Sequence, residues 1–507
     1  MAALQPMATT SSLRHRDFFE RNKTNKDMKN SIHIRILIVL VLLSLLPLGS
    51  MGQIPPTLDE VIRLAQDSAI TAFQSQQEYR SQQASYAAFE ALRKPQLTWK
   101  IVPNYSRYIN DPSRDYVYLR NYDILSTSTQ IKLSQKVLPF GGEAYIGSQA
   151  IWSEFFRQDA SGYPRQFSAS PLLVGYSNPL LGYNPFRWEK QVEDQQIKAA
   201  RQQHEYNLRC IAEEAAVRYF RLVHQQRLLQ LRVEELRMND SLLAIAREKA
   251  TIAVTPLAEL HAIEVQQQNA YNQLEVTLKD ELKARTELAS LLRVDQLYAS
   301  PPLLAIPDLP PPVNYTPEEV VALAKSNHPA YQQQLVELTE ARLQEDKTHK
   351  EQGVNVGLDI NLGLQQVNSD FIKANTNQKL YALGAVQIMI PIMDHGAAKQ
   401  RHEAAEAWVE RQEWALQEIE RLLAEDALVT LQRLQSCRMI LANTQQTVNL
   451  AEEALGEAAI NYANGFCDIN TYTLALNRWA TANNNYLTAL EEFWTTYYHL
   501  QTIIQYE

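Results

Sequence analysis

The sequence is poor in cysteine and in the two residues that most often interrupt regular structure. Its 507 residues include 15 glycines, 22 prolines and 3 cysteines. So few glycines and prolines favour long uninterrupted helices over many short elements. The widely separated Cys210, Cys437 and Cys467 give neither a disulfide framework nor a Cys-x-x-Cys metal site. Basic clusters are also missing from a chain of formal charge −9, which excludes a typical nucleic-acid binder.

Motifs that mark catalytic sites are absent from the sequence as well. It contains no Gly-x-Ser-x-Gly, no phosphate-binding glycine loop and no His-Glu-x-x-His. Paired carboxylates such as Glu213-Glu214 lie in long polar segments, where they are typical of solvated helix faces. We therefore expect no enzyme activity, no cofactor and no metal ion.

Residues 1–52 have the pattern of a secretory signal peptide. Basic residues predominate up to Arg35, an apolar run extends from Ile36 to Leu48, and the small residues Gly-Ser-Met-Gly follow. The run is shorter than the ~20 residues of a membrane-spanning helix, although an uncleaved signal anchor is the alternative. Met28 is an alternative start, and no apolar transmembrane helix is predicted after residue 52.

The rest of the sequence contains an internal repeat. Thr57-Leu-Asp-Glu-Val-Ile recurs as Thr316-Pro-Glu-Glu-Val-Val, and in each copy a helix-capping Thr precedes a Glu by three residues. Ser177-Asn-Pro-Leu-Leu-Gly recurs as Met389-Ile-Pro-Ile-Met-Asp at a shorter offset, so the first copy is 47 residues longer. The Pro-rich segment 301–312 is predicted to link two repeats, at 53–300 and 313–507.

Each repeat is predicted to contain strands followed by very long helices. Apolar residues alternate with small or polar residues through about 96–178 and 354–390, which is typical of strands that cross a bilayer in a barrel. A half-buried sheet of a soluble protein would show the same periodicity. Apolar residues then keep helical spacing through about 186–292 and 396–504. Helices of such length are expected to pack side by side as coiled coils.

The additional residues of the first repeat predict a hairpin at 126–156. A tight-turn signal, Val137-Leu-Pro-Phe-Gly-Gly, lies between two alternating segments, Ser126–Leu138 and Ala144–Phe156. This hairpin either adds two strands to the barrel or folds outside it as a loop. We favour the first arrangement.

Three features together resemble the outer membrane efflux protein family, the TolC-like export ducts of Gram-negative bacteria. Ile388-Met-Ile-Pro-Ile-Met-Asp-His-Gly396 is similar to the family's strand–helix turn, and Asn178-Pro-Leu-Leu-Gly-Tyr is a looser copy. Tyr462-Ala-Asn-Gly-Phe-Cys-Asp is similar to the turn between the long and short helices. The third feature is the duplicated order of helix, strands, long helix and short helix. The strand–helix turn residues are Pro179, Gly182, Pro391, Asp394 and Gly396.

The resemblance implies a mixed α/β membrane protein. Three protomers would close one β-barrel in the outer membrane and continue it as a periplasmic α-helical coiled-coil tunnel, with most of the mass in the periplasm. The protein would be a passive exit duct of a tripartite efflux or type I secretion system. Its partners would be two sister protomers, outer-membrane lipid, a periplasmic adaptor (membrane fusion protein) and an inner-membrane pump. The alternative is a periplasmic coiled-coil protein with a structural or adhesive role.

The resemblance also suggests roles for the helix-turn tips. The adaptor-contact residues would be Lys249, Thr251, Val254, Pro256, Asn464, Gly465, Phe466 and Asp468. Family members narrow the tunnel with aspartates a few residues beyond the glycine of the turn, but Thr471 and Leu474 stand at those positions here. The gate candidates are therefore Glu259, Asp468, Thr471 and Leu474. We expect Asp468 to cap the returning helix rather than to form the gate.

Overall fold

The computed structural model describes residues 56–108, 122–156, 164–251, 257–294 and 303–504. The predicted signal peptide lies outside these residues, as do Val254 and Pro256. In chain order the elements are α1 (Leu58–Ser68), α2 (Ile70–Leu92), β1 (Gln96–Tyr108), β2 (Tyr122–Val137), β3 (Gly142–Phe155), β4 (Arg165–Leu181), α3 (Pro185–Thr251), α4 (Leu257–Leu292), α5 (Pro317–Asn327), α6 (Pro329–Glu351), β5 (Asn355–Asn368), α7 (Phe371–Asn375), β6 (Lys379–Met389), α8 (Ala397–Ala463) and α9 (Ile469–Ile504). The fold is a mixture of strands and long helices.

Four pairs of helices have equal lengths in the two halves of the chain. α1 and α5 have 11 residues, α2 and α6 have 23, α3 and α8 have 67, and α4 and α9 have 36. At 1.5 Å per residue, the 67-residue helices are about 100 Å long. The capping boxes of α1 and α5 are both formed. The carboxylates of Glu60 and Glu319 each accept a hydrogen bond of 2.9 Å from the backbone N–H of their capping threonines, Thr57 and Thr316.

The six strands form one antiparallel sheet in the order β1-β2-β3-β4-β5-β6. The predicted hairpin corresponds to β2 and β3, which begin at Tyr122 and Gly142 rather than at Ser126 and Ala144. β2 pairs with β1, and β3 pairs with β4, so the hairpin lies within the sheet. Within the described residues, the edge strands β1 and β6 are each paired on one side only.

The two faces of the sheet differ sharply in polarity. One row of directly paired residues crosses all six strands on the apolar face, and it consists of Leu97, Leu133, Ile146, Val174, Leu362 and Ala382. The first five side chains are 41–71% exposed. Successive rows alternate between the two faces, so the row two residues further along β1 is also on the apolar face. In that row Trp99 pairs with Ile131. A large exposed apolar face of this kind needs a covering partner or lipid.

The helices pack around a core in which the two halves of the chain meet. Phe220 of α3 stacks on Trp494 of α9, with ring centroids 4.9 Å apart, and both side chains are buried. The linker is bound to α3, because the Tyr219 hydroxyl of that helix donates a hydrogen bond of 2.6 Å to the carbonyl of Ala305. The core therefore holds α3, α9 and the linker together.

His499 links three of the long helices outside this apolar core. It lies on α9, with Nδ1 2.9 Å from a carboxylate oxygen of Glu213 on α3 and Nε2 3.9 Å from one of Asp426 on α8. The hydrogen bond with Glu213 raises the pKa of His499 above its ordinary value. When it is protonated, the imidazole holds α9 to both α3 and α8.

Replacement of His499 by Gln should remove a stabilisation that depends on pH. Because the folded-state pKa is raised, the extra stability is fully present below the unfolded-state pKa of about 6.5 and is lost as the pH rises through the folded-state pKa. The wild type should therefore melt above the His499→Gln variant at about pH 5.5, with a smaller difference at about pH 8.5. Thermal unfolding in detergent, followed by circular dichroism, measures both values.

The matched control is His261→Gln, at an exposed histidine of α4 that lies 3.3 Å from Glu264. Exposed ion pairs contribute little to stability, so this variant should melt close to the wild type at both pH values. A melting difference for His499→Gln that does not change with pH would contradict the role of the protonated imidazole.

Candidate functional site

The turn between α8 and α9 depends on one left-handed residue. Gly465 has a φ of 79°, and the backbone N–H of Phe466 donates a hydrogen bond of 2.8 Å to the carbonyl of Asn461. The N–H of Gly465 donates to the carbonyl of Tyr462 at 3.2 Å, which completes a Schellman motif. No heavy atom lies within 4 Å of a Cβ added to Gly465. The requirement for glycine therefore comes from the backbone conformation and not from crowding.

Asp468 is hydrogen-bonded to the first turn of α9. Its Oδ1 accepts hydrogen bonds from the backbone N–H of Thr471 at 2.9 Å and from the Thr471 hydroxyl at 2.6 Å. The hydrogen bonds from Thr471 lower the pKa of the Asp468 carboxyl below its ordinary value. The carboxylate thus has the geometry of an N-cap, the role that the sequence favours for it, while remaining exposed to solvent.

The gate candidates lie at two separate turns. Asp468, Thr471 and the exposed Leu474 belong to the start of α9, whereas Glu259 is in the first turn of α4. Burial, and after it the negative charge of Glu259, raises the pKa of the Tyr462 hydroxyl.

A hydrophobic cluster joins the two helix-turn tips. Tyr462 and Tyr472 stack with ring centroids 5.8 Å apart. The other buried members are Leu242, Leu243, Ala246, Ile263, Leu455, Ala458, Ile469 and Leu476. Because these residues come from α3, α4, α8 and α9, the two tips form one packed unit.

Six of the predicted adaptor-contact residues lie within the described residues, at the ends of the helices that form this unit. Asn464, Gly465, Phe466 and Asp468 lie at the exposed α8–α9 turn. The Phe466 side chain is 81% exposed, and Leu257 at the start of α4 is also exposed. Lys249 and Thr251 belong to the last turn of α3.

The strand–helix turn of the second half is organised by Asp394. Its carboxylate accepts hydrogen bonds from the backbone N–H of Ala398 at 2.8 Å and of Gly396 at 3.0 Å. Both hydrogen bonds lower the pKa of the Asp394 carboxyl, and the one from Ala398 lowers it most. Gly396 is the N-cap of α8 and has a φ of 84°. Pro391 follows the end of β6, where its missing N–H removes a donor from the ladder.

The first half makes the corresponding turn with different residues. Pro179 lies in β4 at a shift of the pairing register, and Gly182 follows the strand. The capping role belongs to Asn184, whose Oδ1 accepts a hydrogen bond of 3.1 Å from the N–H of Phe186. Its Nδ2 donates to the carbonyl of Leu138 at 3.2 Å. The capping role of Asn184 was not predicted from the sequence, although an Asn-Pro pair before a long helix is a known signal for a helix start.

Substitutions at Asp468 separate its capping role from a role of its charge. Asp468→Asn keeps a side-chain oxygen for the N-cap and should retain nearly wild-type stability, whereas Asp468→Ala should melt at a lower temperature because the cap is lost. Since the native pKa is lowered, the advantage of the wild type over Asp468→Ala should diminish as the pH falls through the pKa of the folded state. Thermal unfolding of the three proteins at several pH values tests this. Equal stability of the wild type and Asp468→Ala would show that the cap contributes nothing.

Two features are absent from the part of the chain that the structure describes. No group of three or more His, Cys, Asp or Glu side chains there could hold a metal ion. No helix of the described residues is both long enough and apolar enough to cross a membrane.

Known proteins resemble this chain in structure but not in sequence. No protein-family model matches it, and no curated protein matches it. Matching structures include a membrane protein of Pseudomonas aeruginosa (15% identity), the CmeC outer membrane channel of Campylobacter jejuni (12%) and the outer membrane protein VceC of Vibrio cholerae (12%). Each match has a TM-score of 0.64 and covers 88% of this chain. The matches cover 93%, 85% and 95% of those three chains, respectively.

These neighbours include proteins described as outer membrane channels, and the matches extend over most of both chains. The resemblance seen in the turn motifs and in the order of elements is therefore confirmed at the level of the fold. The chain has the fold of the TolC-like outer membrane efflux channels.

Proposed function

We propose that three copies of this chain form a passive exit duct in the outer membrane of a Gram-negative bacterium. The observation that carries the proposal is the six-stranded sheet, which has an exposed apolar face and, among the described residues, two edge strands paired on one side only. An unpaired backbone group in hydrocarbon costs several kcal/mol. Pairing of β6 in one protomer with β1 in the next removes both edges, and lipid covers the apolar face.

The long helices support a tunnel that continues this barrel. α3 follows β4 after residues 182–184, and α8 follows β6 after a single turn, so the helices leave the sheet directly. α8 also carries large exposed apolar side chains in the single protomer, among them Trp414, Met439 and Leu450. Helices of neighbouring protomers would cover such side chains by coiled-coil packing. Most of the protein would then lie in the periplasm.

The proposed protomer is an internal duplication exported by a cleaved signal peptide. The equal lengths of four helix pairs and the two capping boxes support repeats at 53–300 and 313–507, with the linker at 301–312. The leader would be residues 1–52.

Cargo would reach the duct from an inner-membrane pump through a periplasmic adaptor. The adaptor would bind the helix-turn tips, where the exposed Phe466 and Leu257 offer apolar side chains for helix-to-helix contact. Asp468 and Glu259 would lie near the entrance of the tunnel. Opening would be a movement of α4 and α9 relative to α3 and α8, because the shorter helices begin at the tips.

Membrane fractionation tests the duct against the alternative of a structural or adhesive periplasmic protein. The duct should be found in the outer membrane and should run as a trimer on gels of unheated samples. A soluble monomer after removal of the leader would overturn the proposal and favour the alternative.

Replacement of Gly465 by Val should abolish export without preventing trimer assembly. A β-branched residue at a φ of 79° costs roughly 1–3 kcal/mol of local strain, which would distort the tip that binds the adaptor. Export should be measured in cells that express the cognate adaptor and pump, and assembly from the trimer band on unheated gels.

Gly456→Val provides a matched control nine residues earlier on the same helix. Gly456 is exposed in the interior of α8 and has no left-handed backbone, so valine is tolerated there. This variant should export normally. Normal export by Gly465→Val would show that the assigned tip is not the adaptor site.

A further inference from the structure

The hairpin formed by β2 and β3 breaks the correspondence between the two halves of the sheet. In the second half, β5 pairs directly with β6. In the first half, β1 and β4 occupy the corresponding places beside the helices, but β2 and β3 lie between them. The first half therefore contributes four strands to the sheet, and the second half contributes two.

The hairpin is paired along its whole length rather than attached at one end. β1 and β2 pair from Gln96 with Ser134 to Tyr108 with Tyr122. β2 and β3 pair from Val137 with Gly142 to Ile124 with Phe155. Removal of the hairpin from the sheet would leave both β1 and β4 without a neighbour on that side. The hairpin is thus a continuous part of the sheet.

The turn of the hairpin is also built into the junction between the sheet and the helices. The Gln135 side chain donates a hydrogen bond of 2.8 Å to the carbonyl of Arg93 at the end of α2. The ammonium group of Lys136 lies 4.9 Å from the ring centroid of Phe186 in the first turn of α3. Together with the hydrogen bond from Asn184 to Leu138, these contacts fix the hairpin to the helices on both sides.

The side chains of β2 alternate as expected for a strand between lipid and water. From Ser126 to Lys136, its residues on the polar face of the sheet are Ser126, Ser128, Gln130, Lys132, Ser134 and Lys136. On the opposite face Ile131 and Leu133 continue the exposed apolar surface formed by Trp99 and Leu97 of β1. A hairpin that folded away in water would have no need of this apolar face.

On the polar face of the sheet, polar contacts connect the hairpin to the second half of the chain. Lys132 lies 2.9 Å from the carboxylate of Glu143 and 4.6 Å from the ring centroid of Tyr145. The Tyr145 hydroxyl donates a hydrogen bond to Asn361 of β5. The tyrosine crosses β4 at Gly175, where an added Cβ would lie 2.3 Å from its ring. Glycine at this position thus leaves room for a link between β3 and β5.

We propose that β2 and β3 belong to the lipid-facing wall, so that three protomers close a barrel of eighteen strands. This inference rests on the proposed trimeric duct. Six antiparallel strands per protomer place β6 antiparallel to the next β1, so the barrel closes in regular antiparallel order.

The hairpin would make the barrel substantially wider. With strands 4.8 Å apart and tilted by about 40°, eighteen strands give a backbone diameter of about 36 Å, against about 24 Å for twelve. A barrel of porin size encloses an aqueous channel. An aqueous lumen of this width admits hydrophilic cargo.

Cysteine labelling in outer-membrane vesicles tests the position of the hairpin, with Cys210, Cys437 and Cys467 first replaced by serine. The test pair is Gln130→Cys on the polar face and Ile131→Cys on the apolar face. The reference pair on β5 is Gln365→Cys on the polar face and Leu364→Cys on the apolar face. A membrane-impermeant maleimide should label each polar-face cysteine at least about tenfold faster than its apolar-face neighbour, because lipid shields the latter.

The possible outcomes separate this inference from the proposed function. Alternating labelling in both pairs supports the eighteen-stranded wall. Alternation at 364 and 365 with equal labelling at 130 and 131 would place the hairpin outside the wall and overturn the inference, while the duct itself would stand. Equal labelling within both pairs would overturn the duct as well. Electron cryomicroscopy of the trimer counts the strands directly, and twelve strands would refute the inference.

Discussion

The backbone hydrogen bonds of the sheet edges constrain the whole molecule. The chain has an exposed apolar face that lipid can cover. Lipid cannot satisfy the backbone groups of β1 and β6, which are paired on one side only within the described residues. Only another strand supplies the missing donors and acceptors, and the proposed source is a sister protomer. Because α3 and α8 follow β4 and β6 after a few residues, an arrangement that closes the sheet also brings the long helices of neighbouring protomers side by side.

Short-range hydrogen bonds stabilise the strand–helix junctions and the turn between α8 and α9. Asp394 and Asn184 satisfy free N–H groups where the long helices begin, and Asp468 does so where α9 begins. The two halves use different residues for the same task at the strand–helix turn. Asn184 also holds the hairpin, which has no counterpart in the second half. The difference between the halves thus follows from the additional strands.

Most local features could be predicted from the sequence because they depend on residues close together in the chain. Helical periodicity and the scarcity of glycine and proline indicate long helices near 186–250 and 396–463, and the structure has α3 at Pro185–Thr251 and α8 at Ala397–Ala463. The capping boxes are read directly from a threonine and a glutamate three residues apart. Gly465 could be identified because only glycine readily adopts the left-handed conformation of that turn.

Contacts between distant residues could not be predicted in this way. The alternation of β2 is the same whether the hairpin joins the sheet or folds as a loop, and only the tertiary structure shows that β2 pairs with β1 and β3 with β4. The link from Tyr145 to Asn361 and the packing of both tips into one cluster join residues from separate halves. By itself the sequence determined the length of the helices, their caps and the alternation of the strands, because periodicity and capping act over a few residues. Only the tertiary structure decided which strands are neighbours and which face is apolar, because these depend on how distant segments pair.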